Sequence, residues 1–481
     1  MKFDMMNKAY YLFFGLLLFS KGSIGQTNTN FIAAPYLQIG YQPAPGTMEL
    51  MWHSADSSTN WDVEVKAVGA ANWSKAGKPE LTRVAVANVN THFVYRTLLT
   101  NLPTGNSFSY RVLKNKKQVF TAQGKAPKRK DQAFRFLAFG DIGAGTPSAK
   151  LLAKQAHIAN PDLVVVPGDI VYERGLISEY RTNFWPVYNA DTVSNEGAPL
   201  MRTVPFVAAL GNHDGDTRDL NSFPDALAYY SFWDQPLNGL PAVEGGPIVP
   251  AIKATPENRK AFETAAGKAY PVMGNFSFDY GNVHWTFIDS DTYVDWTDNS
   301  LRKWLTDDLL AAKDAAWRIV VFHHPGFSSS IDHFEQQQMR LLSPLMEAGK
   351  VDVVLNGHVH NYQRSFPLTF QPEKKGTLLV GGKDNKTIRG RVVPGKWTLD
   401  KAFDGHTQTK PNGIIYLVTG AGGQELYNEE QEHDTDSWQK FTFKYIAHTH
   451  SFTVADVDGN KITFRQVAED GKELDTFSIT K

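Results

Sequence analysis

The sequence predicts an α/β protein of two parts, an N-terminal all-β sandwich followed by a larger domain in which strands and helices alternate. Over residues 31–124, short runs of alternating hydrophobicity recur at the spacing of a sandwich. Over residues 133–481, apolar runs typical of buried strands alternate with turn clusters and helical periods. A length of 481 residues is sufficient for two or more domains.

The N-terminal segment has the organisation of a signal peptide. Two lysines precede an apolar run from Ala9 to Phe19, and the small residues Ser23 and Gly25 follow it. A membrane anchor is the alternative, but the run is well short of the ~20 residues that span a bilayer. We therefore expect residues 1–25 to be removed, the mature chain to have no membrane span, and the protein to be secreted or periplasmic.

Composition excludes several kinds of partner and chemistry. Lys plus Arg (49) nearly balances Asp plus Glu (50), so the net charge of -1 provides no field that would attract nucleic acid or anionic lipid. Small-molecule partners are expected, with no nucleic acid. The absence of cysteine excludes disulfides, thiolate metal sites and cysteine nucleophiles. Any metal must therefore be bound through oxygen and nitrogen.

Four alternating runs define the expected sandwich. They are Met48–Trp52, Trp61–Val65, His92–Tyr95 and Phe108–Val112. The turn over residues 102–105, followed by Phe108 and Tyr110, resembles the aromatic corner of fibronectin type III domains. Residues 124–132 are rich in Lys and Arg, and we interpret them as a solvated linker, with a binding patch as the alternative.

The second part is expected to contain strands, helices and two long insertions. Thr146 and Pro147 are an N-cap and a first-turn proline after the strand Phe134–Phe139. Amphipathic helices are expected over Thr297–Lys313 and Glu335–Ala348. Residues 214–273 and 367–412 have weak periodicity, which indicates loops or insertions near the site. Three strands are expected at the end of the chain, over Phe452–Val457, Ile462–Val467 and Leu474–Ile479.

Five hydrophobic runs in this part each end in a short cluster of polar residues. The clusters are Gly140-Asp141-Ile142-Gly143, Gly168-Asp169-Ile170-Val171-Tyr172, Gly211-Asn212-His213-Asp214, His323-His324-Pro325 and Gly357-His358-Val359-His360. Open α/β sheets place their sites at the carboxyl ends of strands, so we expect the clusters to meet there. One cluster alone is weak evidence, since Gly-Asp is often a simple turn. Together they contain enough oxygen and imidazole donors to hold two metal ions.

A pair of cations about 3.5–4 Å apart suits the hydrolysis of phosphate esters, because the cations stabilise charge on the phosphoryl oxygens and acidify a bridging water. Such a pair requires one shared carboxylate and a mixed set of terminal ligands. The five clusters contain residue types of both kinds.

The ordered motifs between Arg135 and His360 resemble those of the purple acid phosphatases, a group of calcineurin-like metallophosphoesterases. The resemblance implies a four-layer α/β/β/α catalytic domain over residues 133–481, after a fibronectin type III-like domain over residues 31–124. It also implies the metal ligands by position. The first metal would be bound by Asp141, Asp169, Tyr172 and His360, and the second by Asp169, Asn212, His323 and His358. Asp169 would bridge the two ions.

Tyr172 distinguishes this resemblance from other metallophosphoesterases, which usually lack a tyrosine at that position. A phenolate favours a hard, highly charged ion, so the resemblance implies Fe(III) at the first site and Zn, Mn or Fe(II) at the second. The alternative is that Tyr172 packs beside the sheet and binds nothing.

Two further histidines are candidates for contact with substrate. By the same resemblance, His213 would stabilise or protonate the leaving oxygen. His333 lies ten residues after His323, a spacing similar to that of a second substrate histidine in plant members, but an ordinary surface histidine is the alternative. Asp214 stands where many members of the family carry Glu, which bears on the hydrogen bonds around the metal ligands.

The sequence therefore predicts a secreted acid phosphatase that hydrolyses small phosphomonoesters, with hydroxide bound to an Fe(III) and divalent metal centre as nucleophile. Because a trivalent ion lowers the pKa of bound water more than a divalent one, activity should extend to acid pH. A phosphodiesterase or nucleotidase on the same metals is the nearest alternative. A surface glycan-binding protein with a vestigial metal site is a second alternative.

Overall fold

The computed structural model describes residues 30–58, 60–381 and 385–481, so the expected signal peptide lies outside the described residues. Within these ranges, no helix combines the length and the apolar composition that crossing a bilayer requires. The predicted fold class is confirmed, because a strand-rich N-terminal part precedes an α/β domain with two large sheets.

The N-terminal part is a sandwich of two four-stranded sheets. Its strands are β1 (Ala33–Gln38), β2 (Met48–Ser54), β3 (Trp61–Ala67), β4 (Ser74–Lys75), β5 (Glu80–Val84), β6 (His92–Leu99), β7 (Ser107–Lys114) and β8 (Lys117–Lys125). One sheet has the order β1-β2-β6-β5 and the other β4-β3-β7-β8, an arrangement of the immunoglobulin type. Trp52 and Tyr95 stack in the core with ring centroids 5.1 Å apart. All four runs expected from the sequence are strands.

The aromatic corner differs from the expected one. In an isolated sandwich the corner tyrosine bonds to its own backbone a few residues upstream. Here the hydroxyl of Tyr110 instead donates to the carbonyl of Arg202, 2.9 Å away in the following domain. The corner therefore connects the sandwich to the α/β domain.

The α/β domain is built on two mixed sheets. A six-stranded sheet has the order β11-β10-β9-β23-β24-β25, and a seven-stranded sheet has the order β12-β13-β14-β15-β21-β16-β22. The strands are β9 (Phe134–Ala138), β10 (Leu163–Val166), β11 (Phe206–Ala208), β12 (Phe276–Tyr280), β13 (Val283–Phe287), β14 (Trp317–Val321), β15 (Val353–Asn356), β16 (Tyr362–Ser365), β21 (Ile415–Thr419), β22 (Thr442–Ile446), β23 (Ser451–Asp458), β24 (Lys461–Ala468) and β25 (Glu473–Thr480). The three strands expected at the end of the chain are β23, β24 and β25.

Successive side chains along the buried strands face opposite sides of each sheet, and this alternation creates the four layers. Leu163 and Val165 pack between the two sheets, whereas Val164 and Val166 pack against the helices outside the first sheet. Strand β14 repeats this pattern, because Ile319 faces the layer between the sheets and the next residue faces the outer helices. Every face is covered, so these strands are apolar on both sides. The arrangement is helix, sheet, sheet, helix.

The helices are α1 (Pro147–Ile158), α2 (Ile177–Glu179), α3 (Trp185–Tyr188), α4 (Asn212–Gly215), α5 (Tyr229–Phe232), α6 (Pro256–Ala266), α7 (Asn299–Ala311) and α8 (Ser343–Ala348). Thr146 caps α1 as expected, its hydroxyl accepting from the Ala149 amide at 3.2 Å. Helix α7 confirms the first predicted amphipathic helix. The second prediction, Glu335–Ala348, is correct only for its second half, because α8 begins at Ser343.

The two segments expected to be loops contain regular structure. Helix α6 lies within residues 214–273, and its cap, Thr255 before Pro256, repeats the signal of Thr146 before Pro147. Residues 367–412 form two two-stranded sheets, one of β17 (Leu368–Pro372) with β20 (Gly395–Leu399), the other of β18 (Thr377–Gly381) with β19 (Thr387–Val392).

The linker also differs from the expected solvated connection. The ammonium of Lys125 donates to the carbonyls of Asn160 and Pro161 at 2.9 and 2.6 Å. The ammonium of Lys128 lies 3.5 Å from the carboxylate of Asp162. These lysines attach the sandwich to the α/β domain.

Candidate metal centre

The five polar clusters lie together at the carboxyl ends of strands from both sheets. Strands β9, β10 and β11 run parallel, as do β14 and β15, so the loops that follow them share one edge. Asp141, Asp169 and His358 have positive φ values of 61°, 50° and 68°. Non-glycine residues rarely adopt this conformation, and its concentration here indicates strain held at a functional site.

Two glycines show how closely the backbone approaches these side chains. A Cβ on Gly211 would lie 2.2 Å from Asp169 Oδ1, and one on Gly357 would lie 2.8 Å from Asp141 Oδ2. Neither contact is sterically allowed, so only glycine fits at these positions.

The residues proposed for the first metal form one group. The hydroxyl of Tyr172 lies 3.0 Å from Asp141 Oδ1, 3.2 Å from Asp169 Oδ2 and 3.3 Å from His360 Nε2. His360 Nε2 is also 3.4 Å from Asp141 Oδ1. All four side chains are buried, and Tyr172 points at the two carboxylates rather than packing beside the sheet.

The residues proposed for the second metal form an adjoining group. His323 Nε2 lies 3.1 Å from Asp169 Oδ2, 3.2 Å from Asn212 Oδ1 and 3.2 Å from His358 Nδ1. Donor atoms of Asp169, His323 and His358 all lie within 4.8 Å of one another. Because Asp169 Oδ2 contacts both Tyr172 and His323, Asp169 joins the two groups. The structure therefore brings all seven predicted ligands together.

Hydrogen bonds behind these side chains orient two of the histidines. The Nδ1 atoms of His323 and His360 donate to the carbonyls of Pro167 and Glu425 at 2.8 and 2.7 Å. In the neutral imidazoles, both Nε2 atoms then direct a lone pair toward the centre, where the Tyr172 hydroxyl donates to Asp141 and Asp169. Imidazoles held in this way by outer hydrogen bonds are the arrangement expected of metal ligands.

The pKa shifts agree with a site that attracts positive charge. Burial lowers the pKa of His323, but Asp169 and Asp141 overcome this effect and raise it to about 9. Burial would raise the pKa of Asp169, yet the charges of His323 and His213 hold it well below its usual range. Burial and the carboxylates of Asp141 and Asp169 raise the pKa of Tyr172 well above 10. A phenolate at Tyr172 therefore requires a cation beside it.

The two predicted substrate histidines lie at the edge of the metal group. The amide of His213 donates to Asp169 Oδ1 at 2.9 Å, while its ring donates to the carbonyl of Glu173 at 2.8 Å. The ring of His333 lies over His358 with centroids 4.1 Å apart. His333 is thus close to the centre and half-buried, unlike an isolated surface histidine.

Other residues hold the ligands in place. Asp214 accepts from the amides of Ile170 and Gly211, each at 3.1 Å, and so fixes the loops that carry Asp169 and Asn212. The side-chain carbonyl of Gln336 accepts from His358 Nε2 at 2.5 Å. Sequence reasoning singled out Asp214 by its position beside His213, but it gave no signal for Gln336.

Comparison with known proteins identifies the domain that carries the site. Residues 134–362 match the calcineurin-like phosphoesterase family. This part of the chain is a calcineurin-like metallophosphoesterase domain. A domain of this family implies a dinuclear metal centre, and the seven clustered side chains are in the matched region.

The curated relatives of this chain include purple acid phosphatases and related plant proteins. "Probable inactive purple acid phosphatase 27" of Arabidopsis thaliana is 26% identical over 65% of this chain and 52% of its own length. "Purple acid phosphatase 21" of the same plant is 25% identical over 61% of this chain and 54% of its own. The "Nucleotide pyrophosphatase/phosphodiesterase" of Hordeum vulgare is 26% identical over 66% and 72%. The chain spans about half the length of the first of these relatives.

Solved structures show the same fold. The purple acid phosphatase PPD1 from yellow lupin (Lupinus luteus) seeds superposes with a TM-score of 0.61 at 18% identity, covering 93% of this chain and 74% of that one. PhoD superposes with a TM-score of 0.57 at 13% identity, covering 95% and 91%. Both alignments include the sandwich and the α/β domain.

Proposed function

We propose that the protein is a phosphatase of the purple acid type that hydrolyses phosphomonoesters at a dinuclear centre. The observation that carries this proposal is a cluster of seven candidate ligand side chains in which one carboxylate, Asp169, contacts both Tyr172 and His323. We propose Asp141, Asp169, Tyr172 and His360 as ligands of Fe(III). We propose Asp169, Asn212, His323 and His358 as ligands of Zn, Mn or Fe(II). Two such ions would activate water and neutralise the phosphoryl oxygens.

The histidines at the edge of the centre would act on the substrate itself. We assign His213 to stabilising or protonating the leaving oxygen, because its ring is held by Glu173 beside Asp169. We assign His333 to binding a phosphoryl oxygen beside His358. We further propose that residues 31–124 are a fibronectin type III-like domain, that residues 133–481 are the catalytic domain, and that the protein is exported after removal of residues 1–25.

Several relatives bear the words "probable inactive" in their names. The feature that favours activity in this chain is that every one of its seven candidate donors is present and within contact of another. A vestigial site would have no reason to keep two buried carboxylates without a lysine or arginine beside them, since a buried charge without a partner destabilises the fold.

The decisive experiment combines elemental analysis with a pH profile on p-nitrophenyl phosphate. We expect two metals per chain, at least one of them iron, and turnover that extends to acid pH. Fewer than two metals, or two metals without turnover, would contradict the proposal. Comparison with bis-p-nitrophenyl phosphate separates a monoesterase from a diesterase, the alternative favoured by the Hordeum vulgare relative.

A further inference from the structure

The ring of Tyr427, on the loop that follows β21, lies over the candidate metal ligand His360. The two rings are stacked, with centroids 4.0 Å apart and planes inclined by 17°. The centroid of the Tyr427 ring is also 5.7 Å from that of His333, whose ring lies over His358. Because His360 belongs to the first group of candidate ligands and His358 to the second, Tyr427 contacts one group directly and the other through His333.

Backbone hydrogen bonds hold Tyr427 in this position. Its amide donates to the carbonyl of His360 at 3.1 Å, and its carbonyl accepts from the side-chain amide of Asn361 at 3.3 Å. Two residues earlier in the same loop, the carbonyl of Glu425 accepts from His360 Nδ1 at 2.7 Å. The loop is therefore bound to the segment that carries the ligand, and the tyrosine is positioned before a substrate arrives.

The hydroxyl of Tyr427 is an unused hydrogen-bond donor. It makes no hydrogen bond to any residue that the structure describes, and it is accessible to solvent because the side chain is only half-buried. Burial, followed by the charges of Asp141 and Asp169, raises the pKa of Tyr427, so the hydroxyl lies within the electric field of both carboxylates. A phenol keeps its proton at acid and neutral pH. Tyr427 can therefore donate to a molecule that enters the centre.

A phosphoryl group at this centre would need donors of this kind. Within the described part of the chain, the carboxylates of Asp141 and Asp169 form ion pairs only with histidines. A phosphoryl group in transfer spreads negative charge over its equatorial oxygens. An oxygen that neither metal ion neutralises must then be bound by hydrogen-bond donors of the protein, and a hydrogen bond to a charged oxygen is stronger than one between neutral groups.

We propose that the hydroxyl of Tyr427 donates a hydrogen bond to a non-bridging phosphoryl oxygen of the substrate. Tyr427 is then a substrate-binding residue for the group that all phosphomonoesters share, and it does not select among leaving groups. The inference rests on the proposed phosphatase function, because the phosphoryl group would lie at the metal centre.

The test uses Tyr427→Phe in the metal-loaded protein, because this change keeps the ring that stacks on His360 and removes only the hydroxyl. KM should rise about tenfold for both p-nitrophenyl phosphate and glycerol 2-phosphate, since a hydrogen bond to a charged group is lost. The Kd for inorganic phosphate, measured by calorimetry, should rise by the same factor. We expect kcat to change less than about threefold, because the bond is made in the bound substrate as well as in the transition state.

Two measurements serve as controls. Metal content by elemental analysis should be the same in Tyr427→Phe as in the native protein. Tyr41→Phe removes the hydroxyl of another half-buried tyrosine, which lies beneath the ammonium of Lys268 in a different part of the fold, and it should keep the native constants.

Three results would overturn the inference. Native constants in Tyr427→Phe would mean that the ring only supports His360, and loss of a metal would also indicate a structural role. A rise in KM for the aryl substrate alone would mean that Tyr427 contacts the leaving group. If the native protein bound phosphate but hydrolysed neither substrate, the proposed function would fail, whereas weaker phosphate binding in Tyr427→Phe would still support the role of the hydroxyl.

Discussion

Two buried polar clusters in this molecule differ in how their charges are satisfied. At the contact between sandwich and α/β domain, Arg96 donates to both oxygens of Asp234 at 2.9 and 3.0 Å, and its remaining N–H groups reach Thr82 and a backbone carbonyl. At the strand ends, Asp141 and Asp169 lie against the Tyr172 hydroxyl and the imidazoles of His323 and His360, with no lysine or arginine among the seven candidate ligands. The first cluster has a permanent cation opposite its carboxylate, whereas the second has two carboxylates and only histidines as possible cations.

The difference separates a structural cluster from a functional one. A buried ion pair with all its hydrogen bonds made contributes to specificity of the fold and binds nothing further. Two buried carboxylates without a permanent cation beside them are costly unless a cation is bound. Burial is similar in the two places, so the presence or absence of a permanent cation is the feature that distinguishes them.

The largest expected effect follows from removing the shared carboxylate. Asp169→Asn should leave at most one metal per chain and lower turnover of p-nitrophenyl phosphate by at least about 10³-fold, because both ions lose a ligand. Elemental analysis and steady-state kinetics measure these quantities. Retention of two metals in this variant would show that Asp169 does not join the two groups.

Removing the ion pair between Arg96 and Asp234 should lower stability instead of activity. Asp234→Ala leaves Arg96 buried without its partner and should lower the free energy of unfolding by about 3–5 kcal/mol. Denaturant unfolding measures this change, and metal content should stay the same. Asp307→Ala, which removes an exposed i,i+4 pair with Lys303, is the control and should cost less than about 0.5 kcal/mol. A similar loss of unfolding free energy in both variants would contradict the difference that we infer between the two clusters.

Tyr172 tests the identity of the first metal. The native protein should show a visible charge-transfer band from phenolate to iron, and Tyr172→Phe should abolish it. Turnover should fall about 10- to 100-fold, the usual range when a group that holds a metal site is lost. An unchanged band would assign the colour to another ligand. A protein that has no band at all would exclude Fe(III) bound to Tyr172.

The smallest expected effect is a pH dependence of stability from the interface histidines. Burial, followed by the charge of Arg181, lowers the pKa of His92 to about 4, and its Nδ1 lies 3.0 Å from Arg181 Nη2. The unfolded chain binds a proton below about 6.5, while the folded protein does so only below about 4. Stability should therefore fall as the pH drops from about 6.5 to 4, by up to about 1.4 kcal/mol per pH unit.

Denaturant unfolding of His92→Gln over this pH range isolates the effect from that of the metal centre. The variant should show a shallower slope than the native protein, whereas His406→Gln, at an exposed position, should keep the native slope. Parallel slopes in all three proteins would show that His92 titrates normally in the fold.

The sequence predicted the structure correctly where a local residue pattern decides both the secondary structure and the position of a functional side chain. Each ligand cluster follows a strand that is apolar on both faces, so its place at a sheet edge could be predicted from the run before it. Helix α1 could be predicted from Thr146 and Pro147, and the same signal at Thr255 and Pro256 would have predicted α6 within the segment interpreted as a loop.

What could not be predicted depends on contacts distant in the chain. The apolar period over Glu335–Ala348 indicates one helix, but the side chains of Gln336, Gln337 and Gln338 bond to other parts of the fold, and the helix begins only at Ser343. Tertiary contacts of this kind override local propensity. The basic linker appeared solvated for the same reason, since its partner Asp162 belongs to another part of the chain.

Strand β9, which leads to Asp141, lies between β10 and β23, and it pairs Arg135 with Asp456 near the end of the chain. The chain segment that forms its neighbour β23 is thus synthesised more than three hundred residues after β9. Such distant pairing is slow to form. A ribosome-bound polypeptide would lack this support for the Asp141 loop, so we expect the candidate ligands to converge only after synthesis of the chain is complete.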